Sequence, residues 1–196
     1  YKDTLDRITS DTTVIHAAGD NYCYVNWQRY AKIHETAKER GCKSVLWSCS
    51  IDEEVIDEEM LQTLKTHDLI LARECVTFRT LKNKGLQNVL QVSDIAFTME
   101  PEEIDFPLSN YVVLNLSPLV CRKNPEAVPA MKQLIEYILQ NTEYNIALVP
   151  HVVMPADNDY EVLTQLYQSF DSKRLYLVSD KLSARQYKSI VSKAQL

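Results

Sequence analysis

Arg73 and Glu74 close an apolar run, Leu69-Ile70-Leu71-Ala72, and the stretch 71–78 reads LARECVTF. An arginine fork at the end of a buried strand, beside a starting helix, is a receptor for a carboxylate or a phosphate. The same spacing also fits a plain salt bridge from Arg73 to Glu74 or Asp94. His151, directly after Pro150, is suited to donate a proton or to contact an anion, although a lone histidine is more often structural. More polar groups follow the other apolar runs: Gly19-Asp20-Asn21, Ser48-Cys49-Ser50, Ser93-Asp94, Asn115 with Ser117, and Ser179-Asp180. In an open α/β sheet, ligands sit beyond the carboxyl ends of the strands, where these residues would lie. Helix N-termini want the same residue types for capping alone, so Ser50, Ser179 and Asp180 read first as caps. Asp94 reads as cap or ligand alike.

The remaining histidines carry less. His16 lies inside an apolar run and reads as a packed, satisfied side chain. His34 and His67 sit at helical or helix-end positions without partners at metal-ligand spacing. The acidic run 52–59 reads as a solvated helix start favoured by the dipole. No G-x-S-x-G, H-E-x-x-H or Walker pattern is present, so none of those chemistries is indicated.

The elements that must hold these groups alternate. Strands are expected at 13–17, 44–47, 69–72, 88–92, 111–116, 145–149 and 174–178. Most are apolar along their length, which suits strands buried on both faces of a parallel sheet. Between them, Trp27, Tyr30, Ala31, His34, Ala37 and Lys38 have helical spacing, with Gly41 as a C-terminal cap. Cys75, Phe78 and Leu81 share a helical face, as do Val128, Met131, Ile135 and Ile138 after Asn124-Pro125. Leu163, Leu166, Tyr167 and Phe170 follow Asp157-Asn158. Ser183 and Gln186 form a capping box, with Leu182 and Tyr187 as its hydrophobic staple. Strand-helix alternation means an α/β fold, Rossmann-like, with mainly parallel sheets and helices on both faces. The acidic, proline-bearing stretch 100–110 reads as a linker between two halves, 1–99 and 111–196, or as a loop within one sheet.

Composition narrows the class. The 196 residues are 45% apolar, enough for a core, and carry a formal net charge of −6. That balance argues against general nucleic-acid binding, which needs a basic footprint. No apolar run approaches the ~18 residues of a membrane span, and no secretory signal opens the chain. Five scattered cysteines without C-x-x-C read as reduced thiols of a cytoplasmic protein. Only three glycines occur, where average usage gives roughly fourteen, so a glycine-rich phosphate cradle is absent. The chain opens on Tyr1, as a piece of a longer protein would.

Six stretches in order, HAAGDNYCY (16–24), KSVLWSCSIDEE (43–54), DLILARECVTFRTLKNKGLQNV (68–89), SDIAFTME (93–100), VVLNLSP (112–118) and LVPHVV (148–153), resemble the polysaccharide pyruvyl transferase family. The resemblance implies a two-domain, glycosyltransferase-B-like architecture. It implies transfer of the pyruvyl unit of phosphoenolpyruvate (PEP) onto two sugar hydroxyls, as a cyclic ketal in surface-polysaccharide biosynthesis. PEP is then a donor substrate, and no cofactor or metal is expected. Arg73 would bind the anionic donor together with Asn115 and Ser117. His151 would be catalytic, and His151, Asp94 and Asn115 would line the cleft between the halves. Gly19 and Asp20 would help form the acceptor side, with Asn21 and Ser50 on that side or in the cleft. The expected partners are a small-molecule donor and a sugar acceptor, with peripheral contact to a lipid-linked glycan and no membrane span.

This chain departs from the family pattern at Ala18 and Ser48, where the family usually has glycine. The family's first strand and helix would precede Tyr1, and its Arg-x-His motif would follow Leu196. On that reading the 196 residues alone are not competent, and an apolar face left by the absent segments is expected. Two other functions fit the same residues: a nucleotide-sugar glycosyltransferase of related fold, and a non-catalytic α/β binding module.

Overall fold

The structure, a computed structural model, describes residues 2–24 and 26–196; the side chains of Lys2 and Ala18 lie outside that description, and with the latter the departure at Ala18. The chain divides into two compact units, Tyr1–Met99 and Glu100–Leu196. Each has its own parallel sheet.

The first unit runs α1 (Lys2–Asp6), β1 (Thr13–Gly19), α2 (Gln28–Glu39), β2 (Lys43–Cys49), α3 (Glu58–Thr66), β3 (Leu69–Ala72), α4 (Cys75–Asn83) and β4 (Val89–Gln91). The acidic run 52–59 makes a short 3-10 turn and then the capped start of α3, with the Asp57 carboxylate accepting from the Met60 N–H at 2.8 Å. Helix α2 stops where Gly41 takes a positive φ of 73°, a conformation that costs glycine little. The sheet order is β1-β2-β3-β4. Each crossover advances the sheet in the same direction, and crossovers of one hand then put every connecting helix on one face. The core agrees: Leu46, Ile70, Ala72 and Val89 meet Trp27 and Ala31 beside α2, Met60 and Leu64 of α3, and Leu81 of α4.

The opposite face of this sheet is bare within its unit. Two rows cross it by strand register, Ile15–Val45–Leu69 and Trp47–Leu71–Leu90. Ile15, Trp47 and Leu90 are 47%, 40% and 56% exposed. The expectation of strands buried on both faces therefore does not hold here, because the connecting helices share one face and no other segment of this unit covers the opposite one among the described residues. Helix α4 also differs from its apolar pattern. Cys75 is exposed, and Thr77, Thr80 and Leu81 form the buried face. The Thr77 hydroxyl accepts from the Ile51 N–H at 2.9 Å, so a polar residue faces inward to fasten a loop.

The second unit runs β5 (Tyr111–Leu114), α5 (Pro118–Lys123), α6 (Ala127–Asn141), β6 (Asn145–Leu148), the hairpin β7 (Val153–Met154) and β8 (Asp157–Asn158), α7 (Asp159–Gln168), β9 (Leu175–Leu177) and α8 (Ala184–Ser192). Its sheet order is β5-β6-β9. Val112, Ile146, Leu148 and Leu175 pack against α6 and α7 on one face. Tyr111, Ala147, Val149 and Val178 pack against α8 on the other. That second face also takes Ile104, Phe106 and Leu108. The stretch 100–110 is thus extended chain laid against the second unit. The Glu102 N–H donates to the Arg185 carbonyl at 3.1 Å, and the Arg185 Nε–H to the Glu100 carbonyl at 2.9 Å. Helix α8 opens with the expected capping box of Ser183 and Gln186. Helix α5 and the β7–β8 hairpin are too short to announce themselves by periodicity.

Candidate functional site

At the carboxyl edge of the first sheet the structure gathers Gly19, Ser50, Arg73 and Asp94. The Arg73 Nε–H donates to the Ser50 hydroxyl at 2.8 Å. Its Nη1 reaches the Asp94 carboxylate at 3.1 Å. Gly19 has φ of +74°, and a Cβ there would meet the Arg73 Nη1 at 3.8 Å. Backbone bonds brace the cluster: the Ser50 N–H donates to the Gly19 carbonyl at 2.9 Å, and the Arg73 N–H to the Cys49 carbonyl at 3.0 Å. Of the five guanidinium N–H groups, two are engaged, and the others have no partner among the described residues. The Arg73–Asp94 pair is partly exposed, 29% and 31% by side chain. Such a pair is worth about 1 kcal/mol or less, so a multiply charged anion can displace it.

Glu74 has a different task. Its carboxylate caps α4, accepting from the Val76 N–H at 2.6 Å and the Thr77 N–H at 3.0 Å. Burial pushes this carboxyl up, but the bonds from Thr77, Val76 and Ser50 outweigh that and hold it below its ordinary value. The α4 N-terminus is therefore already occupied by a carboxylate, which leaves Arg73 as the cationic group of this cluster. Ser50 is no helix cap; it is the partner of Arg73. Asp94 does both jobs, meeting Arg73 with Oδ2 and capping the 3-10 turn at 95–98 with Oδ1. Asp20 turns aside to accept from the Tyr24 hydroxyl at 2.6 Å, which raises the phenol's pKa. Asn21 is half-buried beside it. Cys49 is buried and its thiol pushed up to about 12 by desolvation, which removes it as a nucleophile.

Ser48 is the unusual backbone. Its φ is +59° where the β2–β3 register shifts, and its hydroxyl accepts from the Ile95 N–H at 3.3 Å. A side chain in this region costs roughly 1–2 kcal/mol. Ser48→Gly relieves that strain while losing the bond, whereas Ser48→Ala keeps the strain and loses the bond. Urea unfolding should therefore show Ser48→Gly about 1 kcal/mol more stable than Ser48→Ala. Equal midpoints would mean that the positive φ carries no cost.

At the carboxyl edge of the second sheet the organising residue is one that sequence reasoning missed. Asp159 is 1% exposed. Its Oδ2 accepts from the Asn115 Nδ2 at 2.9 Å, the His151 N–H at 3.0 Å and the Val152 N–H at 3.0 Å. Its Oδ1 is buried without a partner among the described residues. The Asn115 Nδ2 also donates to the Val149 carbonyl at 2.9 Å. Thus Asn115 and the backbone of His151 are brought together, through Asp159, while the His151 side chain stays exposed. Ser117 stands apart from them as the cap of α5, accepting from the Val120 N–H at 3.3 Å. Asp159 was hidden in Asp157-Asn158-Asp159, where the first two residues already account for a helix start. The signal was an acidic residue at the first helical position, one hairpin beyond Pro150-His151.

A second polar cluster lies in the first unit's core. The His34 and His67 rings stack at 3.7 Å, with His16 at 6.3 Å from His67. The Thr66 hydroxyl donates to the Thr63 carbonyl, so it can only accept from the His34 Nε2, 2.6 Å away. The His34 Nδ1 must then accept from the Ser44 hydroxyl at 2.7 Å, and the His67 Nδ1 must donate to Ser44 at 3.3 Å. For neutral rings, which burial favours, this relay sets both tautomers. Neither ring nitrogen of His16 has a partner among the described residues, so that histidine is packed but not satisfied. No group of three or more metal-ligating side chains occurs among the described residues. Nor does any described helix have the length and apolarity to cross a membrane.

No curated protein matches the chain. Among solved structures, the glycosylation-associated protein (Gap123) complex from Streptococcus agalactiae contains a similar chain, 17% identical with a TM-score of 0.46. That similarity covers 98% of this chain and 38% of the other, so this chain spans well under half of that relative's length. A family model described as polysaccharide pyruvyl transferase matches residues 2–196. With the match running over essentially its whole length, the chain belongs to the polysaccharide pyruvyl transferase family.

Proposed function

We propose that this chain is part of an enzyme that transfers the pyruvyl unit of PEP to two hydroxyls of a sugar, forming a cyclic ketal during surface-polysaccharide synthesis. The observation that carries the reading is Arg73. It stands at a strand's carboxyl end, braced by Ser50, with most of its N–H groups unspent and with Gly19 leaving room beside Nη1. A guanidinium so placed matches the carboxylate or phosphate of PEP, and the weak Asp94 pair yields to it.

The chemistry requires a proton on the methylene carbon of PEP, which leaves its C2 electrophilic. One sugar hydroxyl adds at C2, inorganic phosphate leaves, and the second hydroxyl closes the ketal. The two hydroxyl protons are balanced by the new methyl group and the departing phosphate. In this reading His151, with an exposed imidazole on a backbone anchored by Asp159, is the proton donor.

The test is PEP binding by calorimetry to the full-length protein, beside Arg73→Ala, with uridine diphosphate as the competing ligand class. The expected result is PEP heat in the parent and a loss of at least tenfold in affinity on substitution, as for a charge-assisted bond. A nucleotide signal without PEP heat would replace this reading with a glycosyltransferase. Silence for both, in folded protein, would leave a binding module.

A further inference from the structure

Both amide hydrogens of Asn115 are spent inside the fold. Its Nδ2 donates to the Val149 carbonyl and to the Asp159 carboxylate, each at 2.9 Å. A backbone carbonyl can only accept, and so can an ionised carboxylate. Turning the amide over would set its oxygen against two acceptors, so the neighbours themselves fix its orientation. Asp159 cannot swing away to release it, because the same Oδ2 also takes the His151 and Val152 N–H groups and the residue is buried. What Asn115 has left is its carbonyl oxygen, on a half-buried side chain beyond the end of β5. That oxygen takes no hydrogen bond among the described residues.

A lone acceptor backed by a carboxylate repels an anion and suits a neutral O–H. We infer that Asn115 reads a hydroxyl of the sugar acceptor and takes no part in holding the anionic donor, with Asp159 as the positioning residue that sets this polarity. The inference rests on the proposed function for the identity of the two substrates. It removes Asn115 from the donor-binding set that the family resemblance implies, and it leaves Arg73 there. It also gives the acceptor an attachment point on the second unit's own sheet edge.

The test uses the full-length protein, with PEP binding by calorimetry and a panel of neutral methyl glycosides by ligand-observed NMR. Asn115→Ala should weaken glycoside binding about tenfold, the value of one hydrogen bond at the upper end of the usual range. It should leave PEP affinity within about twofold. Where Asn115→Ala does not fold, judged by near-ultraviolet circular dichroism, Asn115→Ser carries the same comparison. Asp159→Asn keeps an oxygen for Asn115 and the His151 and Val152 N–H groups but gives up the charge, so it holds Asn115 less firmly. It should weaken the glycoside about threefold while sparing PEP, a split that general loosening of the edge would not produce. A fall in PEP affinity on Asn115→Ala overturns the inference, and so does glycoside binding that ignores the substitution or is absent from the parent. If the parent binds a glycoside through Asn115 but gives no PEP heat, the pyruvyl-transfer reading falls and the hydroxyl contact stands.

Discussion

Between pH 7.5 and pH 5 the protein should lose about 4 kcal/mol of unfolding free energy, most of it through two buried histidines. Burial lowers the His67 pKa to about 2, helped by His34 and His16. Burial, His16 and Lys38 lower that of His34 to about 4. Both folded values lie below the unfolded value near 6.5, so the unfolded chain binds more protons as pH falls. Stability is therefore complete above about pH 6.5 and declines below it, by roughly 1.4 kcal/mol per histidine per pH unit. A proton on the His34 Nδ1 would turn the Ser44 hydroxyl from donor to acceptor and force His67 to change tautomer. Urea unfolding at pH 7.5, 6.5, 5.8 and 5 checks this in a window where ordinary carboxylates stay ionised. His67→Gln should flatten the dependence to about half. A parent protein equally stable at pH 7.5 and pH 5 would refute the account.

Asp159→Ala should cost about 3–5 kcal/mol, which is a large part of the stability of a typical domain. The loss arises because one buried carboxylate oxygen serves three donors, and truncation leaves the Asn115 amide and two part-buried backbone N–H groups without their acceptor. Asp159→Asn keeps an acceptor of the same shape and should lose only about 1–2 kcal/mol, the difference between charge-assisted and neutral bonds. Denaturant midpoints for the three proteins decide it. If the alanine and asparagine variants unfold together, the carboxylate is not the keystone of this edge.

Much of the architecture was legible because the chain's apolar periods are clean. The strands at 69–72 and 111–114, the helix at 28–39 with its glycine stop, and the capping box at Ser183 each follow from a local rule that the whole fold also obeys. The carboxyl-edge residues could be placed for the same reason: Arg73, Asp94 and Asn115 each follow an apolar strand. What each of them does there was not legible. Whether Arg73 meets Glu74 or Asp94 depends on where Glu74 turns to cap α4, a choice between two short-range options that spacing alone does not separate. Asp159 was missed because its partners lie 44 residues away at Asn115 and 8 residues away at His151, across a hairpin too short to show a period. The histidine cluster was missed likewise: His16, His34 and His67 come from a strand, a helix and a helix end that only the sheet brings together. Ser48 looked like one small residue for another, since a positive φ leaves no mark on hydropathy.

The bare face of the first sheet, with Ile15, Trp47 and Leu90 standing in solvent, has a thermodynamic consequence. Water ordered over apolar surface carries heat capacity, about 0.45 cal/mol/K for each Å². Any surface that comes to lie on those rows releases that water, and the association enthalpy then becomes more negative with rising temperature. Binding to the carboxyl edge, where we propose that Arg73 meets a small anion, moves little apolar area and should leave the enthalpy nearly flat. The temperature slope of a binding heat thus tells whether a partner has chosen the face of this sheet or its edge.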